Sequence, residues 1–85
     1  MRARILAVCP YEALQELILD VARSRDDLEV TPLTGDISEG RQKLVERVQP
    51  IQSDYDILIS RGSTMRILQQ SMEIPVIEIL DSVYD

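Results

Sequence analysis

Residues 56–60, Asp-Ile-Leu-Ile-Ser, carry three consecutive aliphatic side chains instead of an alternating pattern. A strand with this pattern buries both of its faces, so it needs a covering layer above and below. That requirement excludes a one-sided antiparallel sheet and points to helices packed on a parallel one. The run stops at Ser60, and Arg61-Gly62-Ser63-Thr64 leads straight into a helical pattern.

The rest of the chain supplies the alternation that such a sheet needs. Residues 3–8 (Ala-Arg-Ile-Leu-Ala-Val) predict a short buried strand, ended by Cys9-Pro10. Leu14, Leu17, Ile18, Val21 and Ala22 recur at helical spacing, predicting an amphipathic helix over about residues 11–25. Residues 28–33 predict a second strand, placed at a sheet edge because Pro32 cannot donate to a ladder. Thr34-Gly35 is a turn, and Asp36-Ile37-Ser38-Glu39 has capping-box spacing. The helix that follows turns Ile37, Leu44, Val45 and Val48 inward and ends near Pro50. A third strand over about 55–60, a third helix over about 63–72 (Met65, Leu68 and Met72 on one stripe) and a fourth strand over 76–80 complete the series.

The order βαβαβαβ, without repeat or linker, predicts a single α/β lobe over residues 1–85. Its parallel sheet has right-handed crossovers and three layers, in the flavodoxin-like strand order 2-1-3-4. That order puts the first helix on one face and the other two on the opposite face. Strands three and four then keep one apolar face that nothing in the series covers. A second copy, a swapped element or a further lobe is expected over it.

Ligands of such sheets bind beyond the carboxyl ends of the strands, where the strand order reverses. Here that is between strands one and three. Pro10 and Tyr11 flank it on one side and Ser60, Arg61, Gly62, Ser63 and Thr64 on the other, with Thr34 and Asp81-Ser82 at the margins. Free backbone N–H groups, the positive end of a helix and a guanidinium converge there, which suits a small anion. Ligand binding competes with a structural role for these residues, since Arg61 could cap a neighbouring helix and Gly62 could serve only its backbone angle.

Composition narrows the chemistry. A net charge of −6 argues against a nucleic-acid surface, and Arg41, Lys43 and Arg47 alternate with Glu39 and Glu46 as on a solvated helix face. There is no histidine, which removes the usual general base and the commonest metal ligand. The single cysteine fits a reducing compartment, and no apolar stretch is long enough to cross a membrane, so a cytoplasmic protein is expected. Cys9 lacks the loop of a cysteine phosphatase or a phosphocysteine domain. Gln15 stands where a phosphate-binding Arg is needed, and Glu12 and Glu16 disfavour a thiolate. A phospho-acceptor domain needs an acid where Ser60 stands. Asp54, Asp56, Asp81 and Asp85 fall at opposite strand ends and predict no metal site. No catalytic residue, metal or cofactor is expected.

The string Asp56-Ile-Leu-Ile-Ser-Arg-Gly-Ser-Thr64, with Ile74-Pro-Val-Ile-Glu-Ile79 and Tyr84-Asp85, resembles one family. It is similar to the N-terminal sensor domain of the propionate-catabolism activators, sigma-54-dependent bacterial transcriptional regulators. The resemblance implies a two-lobed receptor, distantly like periplasmic binding proteins, of which residues 1–85 form the first lobe. It implies an effector held between the lobes, a tricarboxylate (2-methylcitrate) in the name-giving members. ATPase and DNA-binding domains would follow. By position, Arg61, Gly62, Ser63 and Thr64 would form the anion-contacting turn, with Ser63 where the family pattern has a second Gly. An interaction or dimerisation module using the uncovered sheet face is the rival reading, and a small phosphotransfer enzyme the more distant one.

Overall fold

The computed structural model describes residues 2–35, 38 and 40–79. The expected capping box at Asp36 and Glu39, the inward Ile37, and the tail from Leu80 through Asp81, Ser82, Tyr84 and Asp85 lie outside them. Four parallel strands, β1 (Ala3–Cys9), β2 (Leu28–Thr34), β3 (Ile57–Ser60) and β4 (Val76–Glu78), stand in the order β2-β1-β3-β4. Helices α1 (Glu12–Arg23), α2 (Arg41–Val48) and α3 (Gly62–Ser71) connect them, giving the expected flavodoxin-like order. Pro32 sits on the edge strand, opposite Ala7, where its missing N–H interrupts no inner ladder.

Strand periodicity divides the core in two. Leu6, Val8 and Leu58 turn to one face and meet Leu44 and Val48 of α2 and Leu68 of α3, all fully buried or nearly so. Ala7 and Cys9 turn to the other face and meet Leu14 of α1, with Ile18, Val30, Ile59 and Ile79 around them. One strand thus feeds both layers, as its unbroken apolar sequence requires. The approach of α2 to the sheet is close at Gly35. A Cβ there would lie 2.9 Å from Leu44 Cδ1 and 3.3 Å from Val8 Cγ1.

Three details depart from the expected boundaries. After Val48 the chain tightens into a 3₁₀ turn, Gln49–Asp54, in place of a loop after Pro50. Its Gln52 is buried, and Oε1 accepts the Glu73 N–H at 2.7 Å, tying this turn to the link between α3 and β4. Strand β3 begins at Ile57 and not at Tyr55, because Asp56 makes a different junction. Its N–H donates to the Arg4 carbonyl and its Oδ2 accepts the Arg4 N–H, both at 2.8 Å. Asp56 is therefore a strand clamp and not only a solvated charge. Finally, α1 ends at Arg23, where Ser24 Oγ donates to the Val21 carbonyl at 2.9 Å.

Among the described residues no buried side-chain polar atom lacks a partner. Leu58 is fully buried at the centre of the α2–α3 layer, flanked by Leu6 and Val76 in register. Leu58→Ala should lower the unfolding free energy by about 2–5 kcal/mol, as for other buried Leu truncations. Urea unfolding followed by circular dichroism checks this.

Candidate functional site

The carboxyl ends of β1 and β3 deliver two residues to the place where the strand order reverses. Tyr11 precedes α1 and Arg61 precedes α3, both in extended backbone (φ −150°, ψ 157° and φ −143°, ψ 144°). Residues in this position commonly use a side chain to cap their own helix. Neither does so here. Instead Arg61 Nη1 donates to the Tyr11 hydroxyl at 2.8 Å, linking the starts of α1 and α3 across the β1–β3 boundary. The two helix starts are thereby joined, and neither Tyr11 nor Arg61 caps its own helix.

The two helix starts differ in charge. The first turn of α1 carries Glu12, whereas the first turn of α3 carries no acid. An anion therefore favours the α3 end, which Gly62 opens. Gly62 has φ +63° and exposed surroundings, with nothing within 4 Å of where a Cβ would stand. The glycine is required by the left-handed angle and not by crowding. Ser63 beside it is exposed.

The remaining sequence-derived positions separate. Ser60 is fully buried, and its hydroxyl donates to the Val8 carbonyl at 2.7 Å, so in this structure it joins β3 to β1 instead of facing solvent. Thr64 is 3% exposed, on the inner side of α3. Pro10 is half-buried, and Tyr11 is 46% exposed. Ser82 lies outside the described residues. The surface group is thus Pro10, Tyr11, Arg61, Gly62 and Ser63.

At the Thr34 margin, two side-chain contacts carry no signal in the sequence. Thr34 Oγ1 donates to Gln15 Oε1 at 2.9 Å, and Arg47 Nη2 donates to the Thr34 carbonyl at 2.9 Å. Helical periodicity places Arg47 on a solvated face; its reach to the end of β2 follows from how closely α2 approaches the sheet at Gly35. Arg41 likewise donates to Gln70 Oε1 at 2.8 Å, joining α2 to α3.

Cys9 ends β1 beneath this group, fully buried, with Sγ 3.7 Å from the Ala7 carbonyl. Burial pushes the thiol above its usual range, so it is held protonated. Asp54 and Asp56 line a depression at the opposite end of the sheet, with Arg2, Arg4 and Tyr55.

The strand order and the paired helix starts define an α/β lobe of the flavodoxin-like class, with its open edge at the switch point. The family model of the propionate catabolism activator N-terminal domain matches residues 24–85, which include β2 through β4 and the Arg61 turn. The chain belongs to that family, whose members are sensor domains of propionate catabolism activators. No curated protein and no solved structure matches the chain. Among the described residues, no helix is long and apolar enough to cross a membrane.

The buried thiol gives a pH prediction. The folded protein holds Cys9 protonated above the pH at which the unfolded thiol, near its ordinary value of 9.0, ionises. The stabilisation is complete below that value and is lost as pH rises through and beyond it. The urea midpoint should fall as pH rises above about 8.5, and fall less in Cys9→Ala. Equal slopes in both proteins would refute this.

Proposed function

We propose that this lobe is a non-enzymatic receptor for a small anionic metabolite, which it binds at the switch point between β1 and β3. The observation that carries the reading is the Arg61–Tyr11 bond at 2.8 Å, which fixes a guanidinium beside two helix starts that their own N-cap residues leave uncapped. Arg61, Gly62 and Ser63 would meet the ligand directly, with Tyr11 and Pro10 forming the opposite wall. Ser60 and Thr64 would hold the turn in shape from beneath.

A polycarboxylate suits this arrangement on physical grounds. A planar guanidinium takes a carboxylate in a two-pronged contact, and the α3 N–H groups can take a second carboxylate. Within the family, a tricarboxylate of the 2-methylcitrate type is the effector we infer. Its binding would signal from this lobe to the activating machinery of a sigma-54-dependent regulator in the cytoplasm. Chemistry on the ligand has no support in the site: its only thiol is buried and protonated, and the chain contains no histidine.

Titration followed by two-dimensional NMR tests the reading. Adding 2-methylcitrate or citrate should shift the amide signals of Tyr11, Gly62, Ser63 and Thr64, and Arg61→Ala should weaken binding at least tenfold. Gly62→Ala, which forces a side chain into a left-handed angle at a cost of about 1–2 kcal/mol, should weaken it as well. Shifts confined to other surfaces, or equal binding by wild type and Arg61→Ala, would overturn it.

A further inference from the structure

Arg61 shares the carboxyl end of the sheet with a second cation. Arg47 Nη2 donates to the carbonyl of Thr34, the last residue of β2, at 2.9 Å. Thr34 stands in register with Cys9, and the Gly35 N–H continues the ladder by donating to the Cys9 carbonyl at 3.0 Å. On the other side of β1, Ile59 pairs with Ala7 and the Ser60 hydroxyl reaches Val8. The next residue, Arg61, therefore comes level with Cys9. Arg61 and Thr34 flank the end of β1 from its two sides, two strand spacings or about 10 Å apart.

The other cations are placed elsewhere. Arg2 and Arg4 line the depression at the amino end of the sheet. Arg23 pairs with Asp20 and Arg25 with Asp27, at 3.2 and 2.8 Å. Arg41 donates to Gln70, and Lys43 and Arg66 stand at exposed positions of α2 and α3. Of the nine lysines and arginines, Arg47 and Arg61 are the pair held by hydrogen bonds at the carboxyl ends of the strands. Both are oriented by neutral oxygens, the Thr34 carbonyl and the Tyr11 hydroxyl.

Charge decides how a ligand would lie between them. Glu12, in the first turn of α1, disfavours an anion on the α1 flank. Helices α2 and α3 pack on the opposite face of the sheet, and Arg47 belongs to α2. A ligand with one carboxylate at Arg61 thus finds its second cation on the flank away from Glu12. A gap of about 10 Å suits two arginine side chains reaching inward to the two ends of one small polycarboxylate. A monocarboxylate engages only one of them.

We infer, on the receptor reading above, that Arg47 is a second anion-contacting residue of the Arg61 site. The two guanidiniums together select ligands with two or more carboxylates over monocarboxylates. Arg61 sets whether an anion binds, and Arg47 sets how many charges it must carry.

Titrating the protein with citrate and with butyrate, followed by two-dimensional NMR, tests this. Wild type should bind citrate at least tenfold more tightly, and citrate alone should shift the amide signals of Thr34 and Gly35. Arg47→Gln should weaken citrate binding at least fivefold and leave butyrate binding within twofold of wild type. Arg47→Lys, which keeps the charge, should hold citrate binding within threefold. Arg4→Gln, the same loss of charge at the opposite end of the sheet, should change citrate binding less than twofold. A purely structural Arg47 would weaken both ligands alike. The Thr34 and Gly35 shifts need no variant, so they decide the matter if Arg47→Gln unfolds, and their absence with citrate overturns the role of Arg47. Equal loss for both ligands, equal effects of Arg47→Gln and Arg4→Gln, or citrate binding that depends on Arg61 alone also overturns it and leaves the receptor reading standing. Citrate binding that Arg61→Ala does not weaken overturns both.

Discussion

Burial of β1 and β3 on both faces is the constraint from which the rest of the structure follows. Leu6, Val8 and Leu58 need one apolar layer, and Ala7, Cys9 and Ile59 need another. Parallel pairing forces each connection to cross the sheet, and the crossovers are where the covering helices come from. Because β2 lies on one side of β1 and β3 on the other, right-handed crossovers send α1 to one face and α2 and α3 to the opposite one. The point of reversal leaves a crevice at the carboxyl ends, and among the described residues one helix covers one face and two cover the other. The candidate ligand site and the uneven cover of the two sheet faces are two consequences of one topology.

At the crevice, the Tyr11–Arg61 bond substitutes for ordinary capping. Each residue stands before its helix in extended backbone, and each spends its side chain on the other instead of on its own helix. The arrangement links α1 to α3 and leaves each helix uncapped by its own N-cap residue. Beneath it, Ser60 is bonded to Val8 and Cys9 is sealed in the core, which gives the exposed turn a rigid base. Belonging to the propionate catabolism activator family accords with the sensing role proposed for this lobe.

Much of this was legible along the chain. The period-2 and period-3.6 patterns placed the described strands and helices within a few residues, and the Pro32 rule put β2 at an edge. The turn at Arg61-Gly62-Ser63 was legible as well, since a buried strand followed by glycine and a helix can form little else. What escaped was contact between distant side chains. Nothing in the neighbourhood of Ser60 reveals that its hydroxyl reaches Val8, and the clamp at Asp56 appears only when Arg4 is placed beside it. Gln52 in the 3₁₀ turn is likewise an ordinary polar residue until Glu73 arrives against it.

By itself, then, the sequence determined the element order, the parallel sheet, the strand order and the position of the open edge. These depend on local periodicity and on chirality rules that hold for any chain. Tertiary structure alone decided which residues at that edge face outward and which way Arg61 and Arg47 reach. Those outcomes depend on separations of a few ångströms between segments up to 52 residues apart, as between Ser60 and Val8, and no local pattern encodes such distances.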